Sequence, residues 1–310
     1  MSNLILHHYD FSNFSEKVRL VLGLKHLSWS SVTIPAYEPK PDYTPLTAGY
    51  RRTPALQIGA DIYCDTRLII EELERRYPAS SIYPDTSAAT RAHCDALICW
   101  AEQSLMRPLA LYITGTRADA FPDAFHADRA RLHGKPQPSV AQVKASAAKY
   151  QAQTEIQLQW LDALLSHGGD YVLPEGISVA DFALYEAPWF LRVITGQDTI
   201  YPELARVQSW AARIEAVGHG MATEIDAEGA IAEARDADPA AVIRGVEANP
   251  EGLKPGEPVI ITPFDQHSPA IGELVSMNRE QITIASTHPR TSRIHVHFPR
   301  FGYRVGRARH

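Results

Sequence analysis

Apolar and polar positions along the chain fall into three regimes. In the first, Leu4, Ile5 and Leu6 form a short apolar run, and after a polar turn Val18, Val21 and Leu22 recur at helical spacing. A strand therefore feeds an amphipathic helix. "WSSVTI" reads as extended and leads into "PAYEPKPDYTPLTAGYRR", a loop dense in proline and tyrosine. Two apolar segments, "PALQIG" and "DIYCD", parted by Gly59 and Ala60, predict a hairpin. In "TRLIIEELERRYP", Ile69, Leu73 and Tyr77 share one helical face, while Glu71 with Arg75 and Glu72 with Arg76 stand at i,i+4. Pro78 stops that helix. Residues 1–78 thus read β-α-β, loop, β-β-α.

From residue 88 to about 217 the period-2 signals vanish and helical spacing takes over. The longest pattern carries Val143, Ala147, Tyr150, Leu158, Leu161 and Leu165, and Ser139 with Gln142 opens it as a capping box. Ser178 with Asp181 forms a second box, flanked by Ile177 and Phe182 as a hydrophobic staple, which fixes a buried helix start and needs no chemistry. The third regime begins after Gly220. An acidic, alanine-rich helix is expected over roughly 223–237, then a linker, "NPEGLKPGEP". Four short strand patterns follow, "PVIIT", "AIGELVS", "QITIAS" and "RIHVHF"; in the last, Ile294, Val296 and Phe298 alternate with His295 and His297. These predict a small antiparallel β module over 240–310.

Composition narrows the function classes. With 45% apolar and 21% charged residues in 310, the chain has the make-up of a globular protein with room for two or three cores. A net charge of −6 and a pI near 6.1 give no general pull toward nucleic acid or an anionic membrane. No basic leader precedes the first apolar run, and no run approaches the roughly 18 apolar residues of a membrane span, so a cytoplasmic location is expected. Cys64, Cys94 and Cys99 form no CxxC pair, in keeping with a reducing compartment. His295 and His297 put two imidazoles on one strand face without an evident third ligand, so no metal site is expected. The last 21 residues hold six arginines and no acid. A basic strand docking on the acidic 224–238 stretch accounts for them more simply than nucleic acid does.

The first turn carries the chemical question. Asn13 with Glu16 has capping-box spacing, and Ser12 or Ser15 could equally serve the first-turn amides. A hydroxyl at a helix N-terminus can also stabilise an anion, a thiolate included.

The order β-α-β, β-β-α and then an all-helical region resembles the glutathione S-transferase family. "SNFSEKVRL" looks like the family's active-site turn, "RRTPALQIG" resembles its cis-proline stretch, "DIYCDTRLIIEEL" is similar to its acidic-hydroxyl pair, and Ser178 to Asp181 resembles its capping box. The resemblance implies a thioredoxin-like α/β domain over 1–80 and an all-α domain over 88–220. A helical linker over 221–239 and the antiparallel β module over 240–310 lie outside the family plan. It further implies glutathione as co-substrate, held by the Thr53 backbone beside cis Pro54 and by Asp65 and Thr66. Ser12 then activates the thiol, Tyr9 is the rival for that role, and Ser15 caps the helix. Arg51 and Arg52 could reach the glycine carboxylate. Tyr112, Phe121, Phe125 and Trp189 could line a pocket for a small hydrophobic electrophile. A homodimer is implied as well. An isomerase or dehalogenase would need the same site; a non-catalytic binding protein of this fold, using the C-terminal module for a partner, is the alternative. The module itself is expected to pack on the rest of the chain without contributing to the glutathione site.

Overall fold

The first apolar run becomes β1 (Ile5–His8), whose four side chains are all buried because both faces of the strand are covered. In this computed structural model, which describes residues 3–196, 203–242, 245–247 and 249–308, α1 (Asn13–Leu24), β2 (Ser28–Thr33), β3 (Ala55–Ile58), β4 (Asp61–Cys64) and α2 (Thr66–Arg76) complete the thioredoxin-like unit. β1 pairs parallel with β2 and antiparallel with β3, and β3 and β4 make the expected hairpin. The helical region comprises α3 (Ala88–Cys99), a π turn (Trp100–Leu105), α4 (Met106–Thr116), α5 (Asp123–Leu132), α6 (Val140–Leu164), α7 (Val179–Thr195) and α8 (Ala205–Glu215).

Two of the three capping boxes read from sequence form. Ser139 and Gln142 open α6, and Ser178 and Asp181 open α7. Asp181 also accepts from the Val172 N–H at 2.9 Å and Trp210 Nε1 at 2.8 Å, which ties the start of α7 to α8.

The C-terminal region departs from expectation in one respect. Its strands β7 (Pro258–Pro263), β8 (Ala270–Met277), β9 (Gln281–His288), β10 (Ser292–Pro299) and β11 (Tyr303–Arg307) continue the thioredoxin-like sheet instead of forming a layer of their own. β10 lies parallel to β4, with Val296 opposite Ile62. Three strands lie outside the four patterns read from sequence: β11, which pairs with β7, the exposed β5 (Met221–Glu224), parallel to β2 on the far edge, and the two-residue β6 (Gly245–Val246) beside β8. Because β5 takes residues 221–224, the acidic helix α9 is confined to Ala227–Asp236. Gly220 makes the entry to β5 possible. Its φ is +70°, and a Cβ there would sit 2.4 Å from the Leu27 carbonyl oxygen. Among the described residues the strands form one sheet in the order β11-β7-β8-β9-β10-β4-β3-β1-β2-β5, with β6 paired to β8.

The sheet separates two cores, as strand alternation requires. Leu6, Leu56 and Tyr63 point to the side of α1, α2 and α7, where they meet Val18, Ile69 and Phe182. Ile5, Val32 and Ile62 point to the other side, where the loop between β2 and β3 supplies Tyr43, Leu46 and Tyr50 and α9 supplies Ile231. Val259, Ile284, Val296 and Phe298 extend that second core across the C-terminal strands.

An interior position also explains the two histidines of β10. His297 stacks on Tyr63 at 4.5 Å, shares a 2.8 Å hydrogen bond with Asp61, and meets Thr283 Oγ1 through its other nitrogen. Four of the five described arginines of the basic end pair with acids of the chain, and Arg304 lies over the Phe264 ring. Arg290 pairs with Asp42 and with Glu228 of α9, Arg293 with Glu273, Arg300 with Glu251 and Arg307 with Glu257. Arg309 lies outside the described residues. No helix among the described residues is long and apolar enough to cross a membrane.

Two buried imidazoles in β1 make stability sensitive to acid. Burial holds the pKa of His7 down to about 4, against the pull of its bond to Gln57. Burial and the Arg19 guanidinium hold His8 at about 3. Both are neutral in the fold and protonate near 6.5 when exposed, so stability is full above that value and falls as pH drops through it. Between pH 7.5 and 5 each should remove about 2 kcal/mol. Urea midpoints that stay constant over this range would contradict the assignment.

Candidate functional site

The register of the sheet brings three segments to one end of it. His7 lies across from Ala55, and Ala55 across from Cys64. The residues leaving β1, entering β3 and leaving β4 therefore emerge side by side: Tyr9 to Ser12, Thr53 with Pro54, and Asp65 with Thr66. The Thr53–Pro54 peptide is cis.

Ser12 is the N-cap of α1. Its Oγ accepts from the Ser15 N–H at 3.2 Å and from the Ser15 hydroxyl at 2.8 Å, which occupies both lone pairs and leaves its own proton to donate. The cap falls here because the Ser12 N–H closes a turn onto the Tyr9 carbonyl at 3.1 Å. Ser15, expected as the cap, is instead its donor. The Asn13–Glu16 box does not form: Asn13 is the first helical residue and donates to Glu186 Oε2 at 2.6 Å, while Glu16 turns to Arg19 and His219.

Beneath this turn lies a buried ionic cluster that sequence reasoning missed. Lys17 pairs with Glu102 of the π turn and, at 3.1 Å, with Glu186 of α7. Burial pushes Glu186 up to about 7 against the pull of Lys17, with Glu102 adding to the rise. The Glu102 charge also reaches Asp65, so the cluster links the start of α1 to that of α2.

Asp65 caps α2, with φ at +77°, a conformation that costs a non-glycine residue of the order of 1–3 kcal/mol. Hydrogen bonds on both carboxylate oxygens offset that cost. Oδ1 accepts from the Arg67 N–H at 3.0 Å, and Oδ2 from the Tyr303 hydroxyl at 2.8 Å. Burial and the Glu102 charge raise the Asp65 pKa, while Arg52 and the two hydrogen bonds lower it. Thr66 is the first residue of α2, so its N–H belongs to the unpaired set at the helix start. Cys64, adjacent in sequence, is fully buried, and its thiol is pushed well up by that burial, which makes it an inert core residue.

Thr53 is oriented by a lysine that was not anticipated. Lys40 Nζ donates to Thr53 Oγ1 at 2.9 Å and to the Arg51 carbonyl at 3.1 Å, and it lies over the rings of Tyr9 and Tyr43. Burial, with Arg51 and Arg129 adding to it, lowers its pKa to about 7. The two arginines expected to reach a ligand are committed elsewhere. Arg51 contacts Asp128 of α5 at 2.5 and 2.6 Å, and Arg52 pairs with Asp265 at 3.1 Å.

Of the four aromatic residues named from sequence, two line up beside this site. Phe121 and Phe125 stack at 4.5 Å, and Phe11 and then Tyr9 continue the row, with centroids 6.4 and 4.8 Å apart. Trp189 is buried over Arg19, and Tyr112 packs against the helical core.

The C-terminal strands reach this site, contrary to the expectation that they would stay clear of it. Tyr303 bonds Asp65, Asp265 pairs Arg52, and the Ser268 hydroxyl accepts from the Arg51 N–H. The reason is topological. Extending the sheet past β4 carries the chain ends of β7 and β11 back over the loop that precedes β3.

Residues 6–81 match the family described as "Glutathione S-transferase, N-terminal domain". A comparison with curated protein sequences gives no match. Among solved structures, FzlA from C. crescentus is 20% identical, with 69% of this chain and 88% of its own covered and a TM-score of 0.53. The β-etherase LigF from Sphingobium sp. strain SYK-6 is 18% identical, with 69% and 95% covered and a TM-score of 0.52. At those identities both matches speak for the fold alone. A GST-like protein from Pseudomonas syringae is 35% identical over 99% of this chain and 100% of its own, with a TM-score of 0.76. A likeness of that degree along both whole chains, joined to the domain match and the fold, makes this chain a member of the glutathione S-transferase-like family.

Proposed function

We propose that the chain is a glutathione-dependent enzyme in which Ser12 stabilises the thiolate of bound glutathione for attack on a small hydrophobic electrophile. The observation that carries this reading is the convergence of a hydroxyl-capped helix start, the Thr53 backbone and the Asp65–Thr66 pair at one end of the sheet.

In this reading the γ-glutamyl carboxylate takes the N–H and hydroxyl of Thr66, and the ammonium takes the lone pairs of Asp65 not used by Arg67 and Tyr303. The cysteinyl backbone pairs with Thr53 as an added strand would. The thiol then falls at Ser12, whose oxygen already has two donors and whose own proton is therefore left to donate. A free thiol has a pKa near 8.5, and each unit of depression takes about 1.4 kcal/mol of preferential thiolate stabilisation, the scale of one hydrogen bond to an anion. The sulfur lone pair forms a bond to the electrophilic carbon while the displaced electron pair leaves with a leaving group or moves into a conjugated acceptor. The row from Tyr9 to Phe125 provides the apolar surface for that second substrate.

Ultraviolet thiolate absorbance followed against pH tests the role of Ser12. Ser12→Ala should raise the pKa of the bound thiol by about one unit and, through the lost cap, cost about 1 kcal/mol of stability. Tyr9→Phe should leave the thiol where it is. The reverse pattern would pass the role to Tyr9, and no shift in either variant would leave Ser12 a helix cap only.

A further inference from the structure

We propose that the C-terminal sheet extension completes the γ-glutamyl subsite, with Tyr303 as the positioning residue that orients Asp65 toward the ligand's ammonium. The proposal rests on the reading of Asp65 as the partner of that ammonium and adds to it a group from outside the thioredoxin-like unit.

Three observations support it. The Tyr303 hydroxyl lies 2.8 Å from Asp65 Oδ2, and Tyr303 is buried, so the bond is shielded from water. Its oxygen also lies 2.5 Å from the Tyr50 hydroxyl. Since the single Tyr303 proton goes to the carboxylate, Tyr50 must donate, and the chain runs Tyr50 to Tyr303 to Asp65. Such a relay polarises each successive bond toward the anion. Finally, Asp65 is held at a φ of +77°, where few other contacts fix the plane of its carboxylate: one backbone N–H on Oδ1 and this phenol on Oδ2. With one donor on each oxygen, a lone pair on each remains for an ammonium. The charged and titratable groups around Asp65 are Arg52 from the loop before β3, Glu102 from the π turn, Arg67 on α2, Cys64 on β4, and Tyr50 with Tyr303. Of these, Tyr303 alone comes from beyond the helical region. The ring itself packs against Tyr50 and Phe298, so Tyr303→Phe keeps the core filled and removes only the donor.

The test compares glutathione with its analogue in which the γ-glutamyl α-amino group is replaced by hydrogen, by calorimetry on the full chain and its Tyr303→Phe variant. Wild type should prefer glutathione, and the variant should lose roughly tenfold in glutathione affinity while binding the deamino analogue as wild type does. Tyr50→Phe should move the same ratio in the same direction by a smaller factor. Equal loss for both ligands would mean a general structural role and would overturn the proposal, as would an unchanged preference. Failure of the wild-type chain to bind either ligand would instead remove the glutathione reading beneath it, and the positioning role with it.

Discussion

Removing everything after Gly220 should leave a chain that does not fold. The deletion strips α9 from one face of the sheet and removes the strands beyond β4, whose inner side chains share a core with Ile5, Val32, Ile34 and Ile62 and with Tyr43, Leu46 and Tyr50 of the preceding loop. Each large apolar side chain returned to water costs about 1.5–3 kcal/mol, so the sum matches or exceeds the 5–15 kcal/mol by which a typical domain is stable. β4 would also change from an interior strand to an open edge, a template for aggregation. The expected result is an insoluble or ANS-binding product without cooperative melting. A soluble, monodisperse 1–220 fragment with native-like circular dichroism would show that the second core is dispensable. The consequence for function is that the extension cannot be regarded as an appendage whose loss would merely alter substrate selectivity.

Combining Asp65→Asn with Thr66→Ala should weaken glutathione binding by at least about a hundredfold, since two charge-assisted hydrogen bonds of about 1.5–3 kcal/mol each are lost. Asparagine is chosen at position 65 because the φ of +77° disfavours alanine, and because an amide oxygen can still accept from the Arg67 N–H and keep α2 capped. Alanine at 66 removes the hydroxyl and leaves the backbone N–H. Calorimetry should show the loss in affinity with little change in melting temperature. Undiminished binding in the double variant would move the γ-glutamyl end to another part of the molecule.

The elements that depend on neighbouring residues were legible in the sequence. Ser139 with Gln142 and Ser178 with Asp181 announced two helix starts, Gly59 and Ala60 announced a hairpin, and short strand-like runs, alternating in the last, announced four of the C-terminal strands. In each case the signal is a side chain bonding or packing within a few residues of itself, so spacing suffices. The candidate site was legible to the same extent: Asp65 and Thr66 stand at a helix start, and Ser12 stands at another. Which of Ser12, Asn13 and Ser15 caps that helix was not, because all three residue types can do it and the choice follows from where the Tyr9 turn closes. Only the tertiary structure decided what lies beyond β4. Period-2 alternation says which face of β10 is apolar but not which strand edge it will join, and its partner stands more than two hundred residues earlier in the chain. The same distance separates Tyr303 from Asp65. A tyrosine in "FGYRV" reads as ordinary core until the sheet carries it onto a carboxylate, since a hydrogen bond between residues so far apart leaves no periodic trace in either segment.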